Sequence, residues 1–113
     1  MSNKYVDVVA ITQVIGCIFN KPTILDETEK YSISEYDFVE DFHKILVGSM
    51  YNLHASGSDV NLDSIVDYLS NRPKFEAVFK VNKGIEYLTE ASKMARENEF
   101  NYHYNRLQIL CAL

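Results

Sequence analysis

From Tyr36 to Gly57 the chain reads as one amphipathic helix, and no other stretch restricts the possible folds as much. At helical spacing Phe38, Phe42, Ile45, Leu46, Ser49, Met50 and Leu53 share a face, while Glu40, Asp41 and Lys44 fall elsewhere. Ser34 is placed to accept from the first free backbone N–H groups, Asp37 puts a negative charge in the positive first turn, and Gly57 suits the left-handed position after the last turn. A helix this long with a single apolar face has to be covered by other elements.

The rest of the sequence supplies helices to cover it. Val6, Val9, Ala10, Gln13, Val14, Cys17 and Ile18 recur at three and four residues, which predicts a first helix from about Tyr5 to Phe19, closed by Asn20 and Lys21-Pro22. Gly16 costs about 1 kcal/mol against alanine inside a helix, and a close helix crossing would compensate. Pro22 suits the first turn of a short helix over Thr23 to Lys30. Asn61 caps a helix carrying Leu62, Ile65, Val66 and Leu69, which must end before Pro73. Phe75, Val78, Phe79 and Val81 suggest a short helical piece, Asn82-Lys83-Gly84 a turn, and Ile85, Leu88, Ala91, Ser92 and Ala95 a further helix. Asn101 caps a last one holding Tyr104, Leu107, Leu110 and Cys111, which reaches Leu113 with no stop signal and so reads as cut rather than finished. No stretch alternates at period two. The expected fold is all-α, a compact bundle of about six helices, with Val14, Phe38, Phe42, Ile45, Leu46, Leu53, Leu69 and Leu88 in its core.

Size and charge narrow the function. With 113 residues the chain fits one domain that can bury roughly two-thirds of its unfolded surface without metal or disulfide staples. Its 47% hydrophobic residues never form a run near the ~20 needed to cross a bilayer, and the N-terminus lacks the pattern of a signal peptide, so a cytoplasmic location is expected. The net charge of −5 disfavours direct nucleic-acid binding, which depends on lysines and arginines that neutralise phosphates. Asp26 to Asp41 holds seven acidic residues against Lys30 alone, a solvated acidic face or a docking site for a basic partner. Cys17 and Cys111 form no CxxC pair, and Cys17 on the apolar side of its helix reads as a buried free thiol.

Catalytic apparatus is not visible. There is no Gly-x-x-x-x-Gly-Lys-Ser/Thr loop to cradle a triphosphate, so no ATPase activity is expected of this chain. Glu40-x-x-His43 gives one Glu-x-x-His spacing, whereas a carboxylate-bridged metal site in a bundle needs two, with two further glutamates. His43 near Asp41 could act as a general base, but no nucleophile or oxyanion donor can be named with it, and a packed structural histidine is the plainer reading. Tyr102 and Tyr104 could stack on bases, yet without basic surroundings they suit a core or a subunit contact. No catalytic, cofactor-binding or metal residue is assigned, and such chains are mostly protein-binding or assembly modules.

Several segments in order resemble the N-terminal domain of DnaB-type replicative DNA helicases of bacteria and their phages. Gln13-Val14-Ile15-Gly16-Cys17-Ile18-Phe19 is similar to the family's opening helix, Tyr36-Asp37-Phe38 stands where it has an acidic-acidic-Phe triplet, and His43 follows Phe38 at the family's interval. Leu53, Gly57 and Val60-Asn61-Leu62 continue in register to Leu69, Gly84-Ile85-Glu86-Tyr87-Leu88 matches a Gly-x-x-Tyr-Leu signature, and Tyr104 a later tyrosine. The acidic pair before the first core helix is missing, and the family's double glycine is Lys83-Gly84, so a phage or otherwise divergent member fits.

The resemblance implies a helical head over residues 1–99, with 100–113 beginning the helix that leads to the hairpin and linker of a parent helicase. In the parent, ATP and magnesium belong to a RecA-like motor, and neither motor nor hairpin falls within these residues; no cofactor is expected here. The implied function is self-association, as dimers and a hexamer in the parent, with coupling to primase or a helicase loader. Tyr87 and Tyr104 are the partner-binding residues it suggests, and Tyr87, on the margin of its helix stripe, is expected to keep its hydroxyl in water. Two other readings stay open: a stand-alone adaptor or inhibitor that binds a replication protein, and a small enzyme using His43.

Overall fold

A computed structural model of the chain describes residues 8–33 and 37–112, the side chains as far as residue 108. Six α-helices follow in order: α1 (Val8–Asn20), α2 (Asp41–Ala55), α3 (Leu62–Ser70), α4 (Pro73–Val81), α5 (Gly84–Met94) and α6 (Phe100–Ala112), and no strand occurs among the described residues. The fold is all-α. α1 packs mainly on α5 and α6, α2 on α3 and α4, and the two groups meet through α1 against α2 and α4 against α5. The shortest dimension, 23 Å, is about the thickness of two packed helices with side chains.

The central helix is shorter than its apolar pattern predicts. It starts at Asp41, after Glu40 in extended backbone (φ −85°, ψ 140°), so Asp41 rather than Asp37 supplies the negative charge of the first turn. Phe38 is buried all the same, reaching the core from the non-helical segment ahead of the helix. Apolar spacing reports burial and leaves the backbone open. Ser34 and Tyr36 lie outside the described residues, as do Tyr5 and Val6 and the side chains of Leu110 and Cys111. The C-terminal end follows expectation: Gly57 takes φ +81° and donates to the His54 carbonyl at 3.0 Å, and Ser58 N–H donates to the Leu53 carbonyl at 2.9 Å, the paired bonds of a Schellman motif.

Other ends show what the local sequence dictates. Asn61 Oδ1 accepts from Ser64 N–H at 2.9 Å while Ser64 Oγ accepts from Asn61 N–H at 2.9 Å, a complete capping box. Pro73 opens α4, where its missing N–H is harmless. The helix expected over Thr23 to Lys30 is instead a 3-10 helix, Pro22–Asp26, which buries Ile24 and packs Leu25 partly buried against the core. Asn101 is no cap: it lies inside α6, a 3-10 turn over Glu97–Glu99 leads into that helix, and its Oδ1 accepts from the Tyr31 hydroxyl.

Val14, Phe38, Phe42, Leu46, Leu69 and Leu88 are buried in one cluster, against which Ile45 and Leu53 pack partly buried. Phe100, Tyr104 and Leu107 of α6 belong to the same cluster, so a boundary at 99 and 100 does not separate two packing units. The stripes of α4 and α5 are narrower than their sequences suggest, since Phe75, Val81 and Ile85 are all exposed.

Gly16 marks the α1–α5 crossing. A Cβ there would meet the Ala91 carbonyl and lie 2.9 Å from Ala95 Cβ. Because backbone stands in the way, Gly16→Ala should destabilise despite alanine's helix-propensity gain of about 1 kcal/mol, by a net cost of about 1–3 kcal/mol in chemical denaturation. A midpoint raised by the substitution would show that α1 and α5 lie further apart. Gly84 is held in the same way, since a Cβ there would overlap the Phe79 ring. Lys83 before it adopts the left-handed conformation (φ 54°), which a glycine would take without strain.

Candidate protein-binding surface

The two tyrosines singled out by resemblance are both held by internal contacts. Tyr87, on α5, sets its ring edge-on to Phe42 with centroids 5.2 Å apart, and 5.8 Å from the His43 ring. Its hydroxyl lies 3.3 Å from Thr12 Oγ1 on α1, a protein partner that local spacing does not reveal. Burial pushes the Tyr87 phenol above its ordinary value, against the opposing hydrogen bond from Thr12. The residue therefore ties α1, α2 and α5 together, and its ring is only partly buried.

Tyr104 is further inside. It is 8% exposed, its hydroxyl accepts from Ser32 N–H at 2.8 Å, and its ring stacks on Phe100 and meets Tyr31 edge-on at 5.0 Å. Such a position offers no face to a partner, because the side chain closes the segment after the 3-10 helix onto α6. Tyr102, two residues earlier, is 67% exposed.

His43 sits among Phe38, Phe42 and Tyr87, and its Nδ1 finds no hydrogen-bond partner among the described residues. Burial lowers its pKa, with the charge of Glu40 acting in the opposite direction. Unfolded chain thus takes up a proton at this residue where folded chain resists it. The stability contributed by neutral His43 is fully present above the unfolded value of 6.5 and is lost as pH falls through the lower folded-state value. Urea midpoints measured from about pH 8 to about pH 5 should fall on the acid side, and His43→Phe should flatten part of that fall. Identical slopes for the two proteins would show that the imidazole is free to ionise in the folded state.

Cys17 is buried, and burial followed by the charge of Glu97 pushes its thiol up to about 11, so it is protonated and unreactive at neutral pH. Among the described residues no three of His, Cys, Asp and Glu converge as a metal site, and no helix is long and apolar enough to cross a membrane. Three aromatic rings, Phe38, Phe42 and Tyr87, pack around His43.

Several apolar side chains stand at the surface. Three residues that the helical stripes assign inward, Phe75, Val66 and Ile85, are 48%, 39% and 47% exposed. Val66 and Ile85 line a shallow concavity edged by Asp63 and Asp67, and Phe75 lines a groove between α2 and α4 that carries Lys44 and Lys74. Periodicity treats every apolar residue as inward-facing, so it could not distinguish these from the core.

Comparison with known proteins places the helical fold in a family. The family model described as the DnaB-like helicase N terminal domain matches residues 4–108. The chain is 42% identical over 100 residues, 88% of its length, to the SPbeta prophage-derived uncharacterized protein YorI of Bacillus subtilis (strain 168), and that match spans 20% of the relative's length. No solved structure matches the chain.

Proposed function

We propose, for a chain that belongs to the family of DnaB-like helicase N-terminal domains, the role of a collar head in a replicative DNA helicase: it self-associates and couples the ring to primase or to a loader. The observation that carries this reading is the family match across residues 4–108, nearly all of the described fold. Two features support it. The matched region is about a fifth of the prophage-derived relative, where it is one part of a much longer protein. Apolar side chains stay exposed on α3, α4 and α5, where a partner could cover them. In this role Tyr87 positions α5 against α1 and α2, and the part of its ring that stays uncovered is what it offers a partner.

Sedimentation equilibrium of the isolated chain, together with titration calorimetry against the primase and loader encoded in the same genome, tests the proposal. Concentration-dependent dimers and weak primase or loader binding are expected, since the hairpin that the family uses for much of its contact lies outside these residues. A strict monomer at millimolar concentration that gives no heat with either protein would overturn it. Tight binding by such a monomer to an intact replicative helicase would favour an adaptor or inhibitor.

A further inference from the structure

We propose that the groove between α2, α3 and α4 is a docking site for an acidic, amphipathic peptide segment of a partner protein, with Phe75 as the apolar anchor and Lys44 and Lys74 receiving its carboxylates. The groove encloses about 400 Å³, with Ile45, Phe75 and Val78 forming its apolar side. Phe75 stands half exposed there. An aromatic ring beside an open groove is the kind of residue that dominates binding energy once a partner excludes water from it.

The charge around the groove selects the occupant. Lys21, Lys30, Lys80 and Lys93 each lie within 4 Å of a carboxylate, whereas Lys44 and Lys74, like Lys83 away from the groove, have no ion pair among the described residues. Two unpaired cations face one carboxylate, Asp41, on the lining of a groove in a chain of net charge −5. The concavity beside α5 has the opposite character, with Asp63 and Asp67 around its apolar residues. Complementarity of this kind steers encounter and fixes register more than it adds raw affinity. It calls for aspartates or glutamates flanking a large apolar side chain. A single-stranded nucleic acid is the poorer fit, because two lysines neutralise few phosphates and Asp41 with the overall negative charge repels the rest.

Tyr68, on the same lining, is already held in place. Asn52 Nδ2 donates to the Tyr68 hydroxyl at 2.7 Å, and the Arg72 guanidinium lies 3.8 Å from the Tyr68 ring centroid while its Nη1 donates to the Tyr68 carbonyl at 2.7 Å. A partner would therefore meet an ordered surface and lose little entropy in fixing it. The inference does not depend on the collar reading, since any protein presenting such a segment would satisfy it.

Panning a random twelve-residue peptide display library on the folded chain tests the proposal, with the recovered peptides titrated into ¹⁵N-labelled protein. Recovered sequences should carry acidic residues on either side of Phe, Leu or Trp and shift the amides of Lys44, Tyr68, Lys74 and Phe75. Phe75→Ala should weaken binding more than tenfold, and Lys44→Glu with Lys74→Glu about tenfold, with melting temperatures close to that of the parent because these side chains lie at the surface. Recovery of basic or uncharged sequences, binding that survives the three substitutions, no recovery at all, or oligothymidine shifting the same amides more strongly than the peptides would each overturn it.

Discussion

Phe42→Ala should lower the melting temperature by about 10–20 °C. The ring is buried at the start of α2, edge-on to Tyr87 at 5.2 Å and beside His43 at 5.6 Å. Truncating a packed phenylalanine costs about 3–5 kcal/mol, from lost burial and from the cavity left behind. That is a large part of the roughly 5–15 kcal/mol that holds a domain together, and each kcal/mol moves the midpoint by about 4 °C in a chain of this size. The site is poorly able to collapse, because Tyr87 is held to α1 through Thr12 and cannot follow α2 inward without breaking that bond. Phe42→Leu keeps most of the volume and should cost much less. If thermal unfolding followed by circular dichroism gave the same curve for Phe42→Ala and the parent, the α2–α5 contact would be absent and the apolar face of α2 would lie in solvent.

Most helices were legible in the sequence from their apolar spacing, and some were written a second time at their ends. Asn61 with Ser64, Pro73 and Gly57 all do what their chemistry predicts. Gly16 also foretold a close crossing, though not that α5 would be the partner, because the residue that meets it, Ala91, is far along the chain. Long-range polar pairing was hidden for the same reason. Thr12 with Tyr87 and Ser32 with Tyr104 join residues more than seventy positions apart, so nothing in the local pattern showed that both hydroxyls would be used inside the fold. Phe38 and Asn101 were misplaced by the opposite fault, local pattern taken too literally. A phenylalanine can be buried from a loop, and an asparagine inside a helix can serve a distant tyrosine. The groove could be read only in three dimensions, because Lys44 and Lys74 become neighbours through the packing of α4 on α2.

Gln13 carries the second large expected effect. Within the sequence it looks like a polar interruption of the α1 stripe, yet it is 6% exposed. Its Nε2 donates to the Met94 carbonyl at 2.7 Å and its Oε1 accepts from Arg96 N–H at 2.9 Å. One amide thus pairs a free carbonyl of the last turn of α5 and a donor of the segment that turns toward α6, groups that the end of a helix leaves without backbone partners. Gln13→Leu matches the volume and removes both bonds at once. Each backbone group left unpaired away from water costs about 1–3 kcal/mol, so the substitution should destabilise by about 2–5 kcal/mol even though leucine is the more hydrophobic residue. Gln13→Glu separates the two bonds. An ionised carboxylate still accepts from Arg96 but repels the Met94 carbonyl, so this variant should regain stability as pH falls and its carboxyl becomes a donor. Hydrogen exchange locates the loss: in Gln13→Leu the amides from Arg96 to Phe100 should exchange much faster, while those of α3, which packs on α2 and α4, should change only as global stability does. Unchanged protection at Arg96 together with an unchanged denaturation midpoint would mean that α5 ends without help from Gln13, and the contact between the two helices would then rest on the Gly16 crossing and on the Thr12–Tyr87 and Asn20–Ser92 pairs.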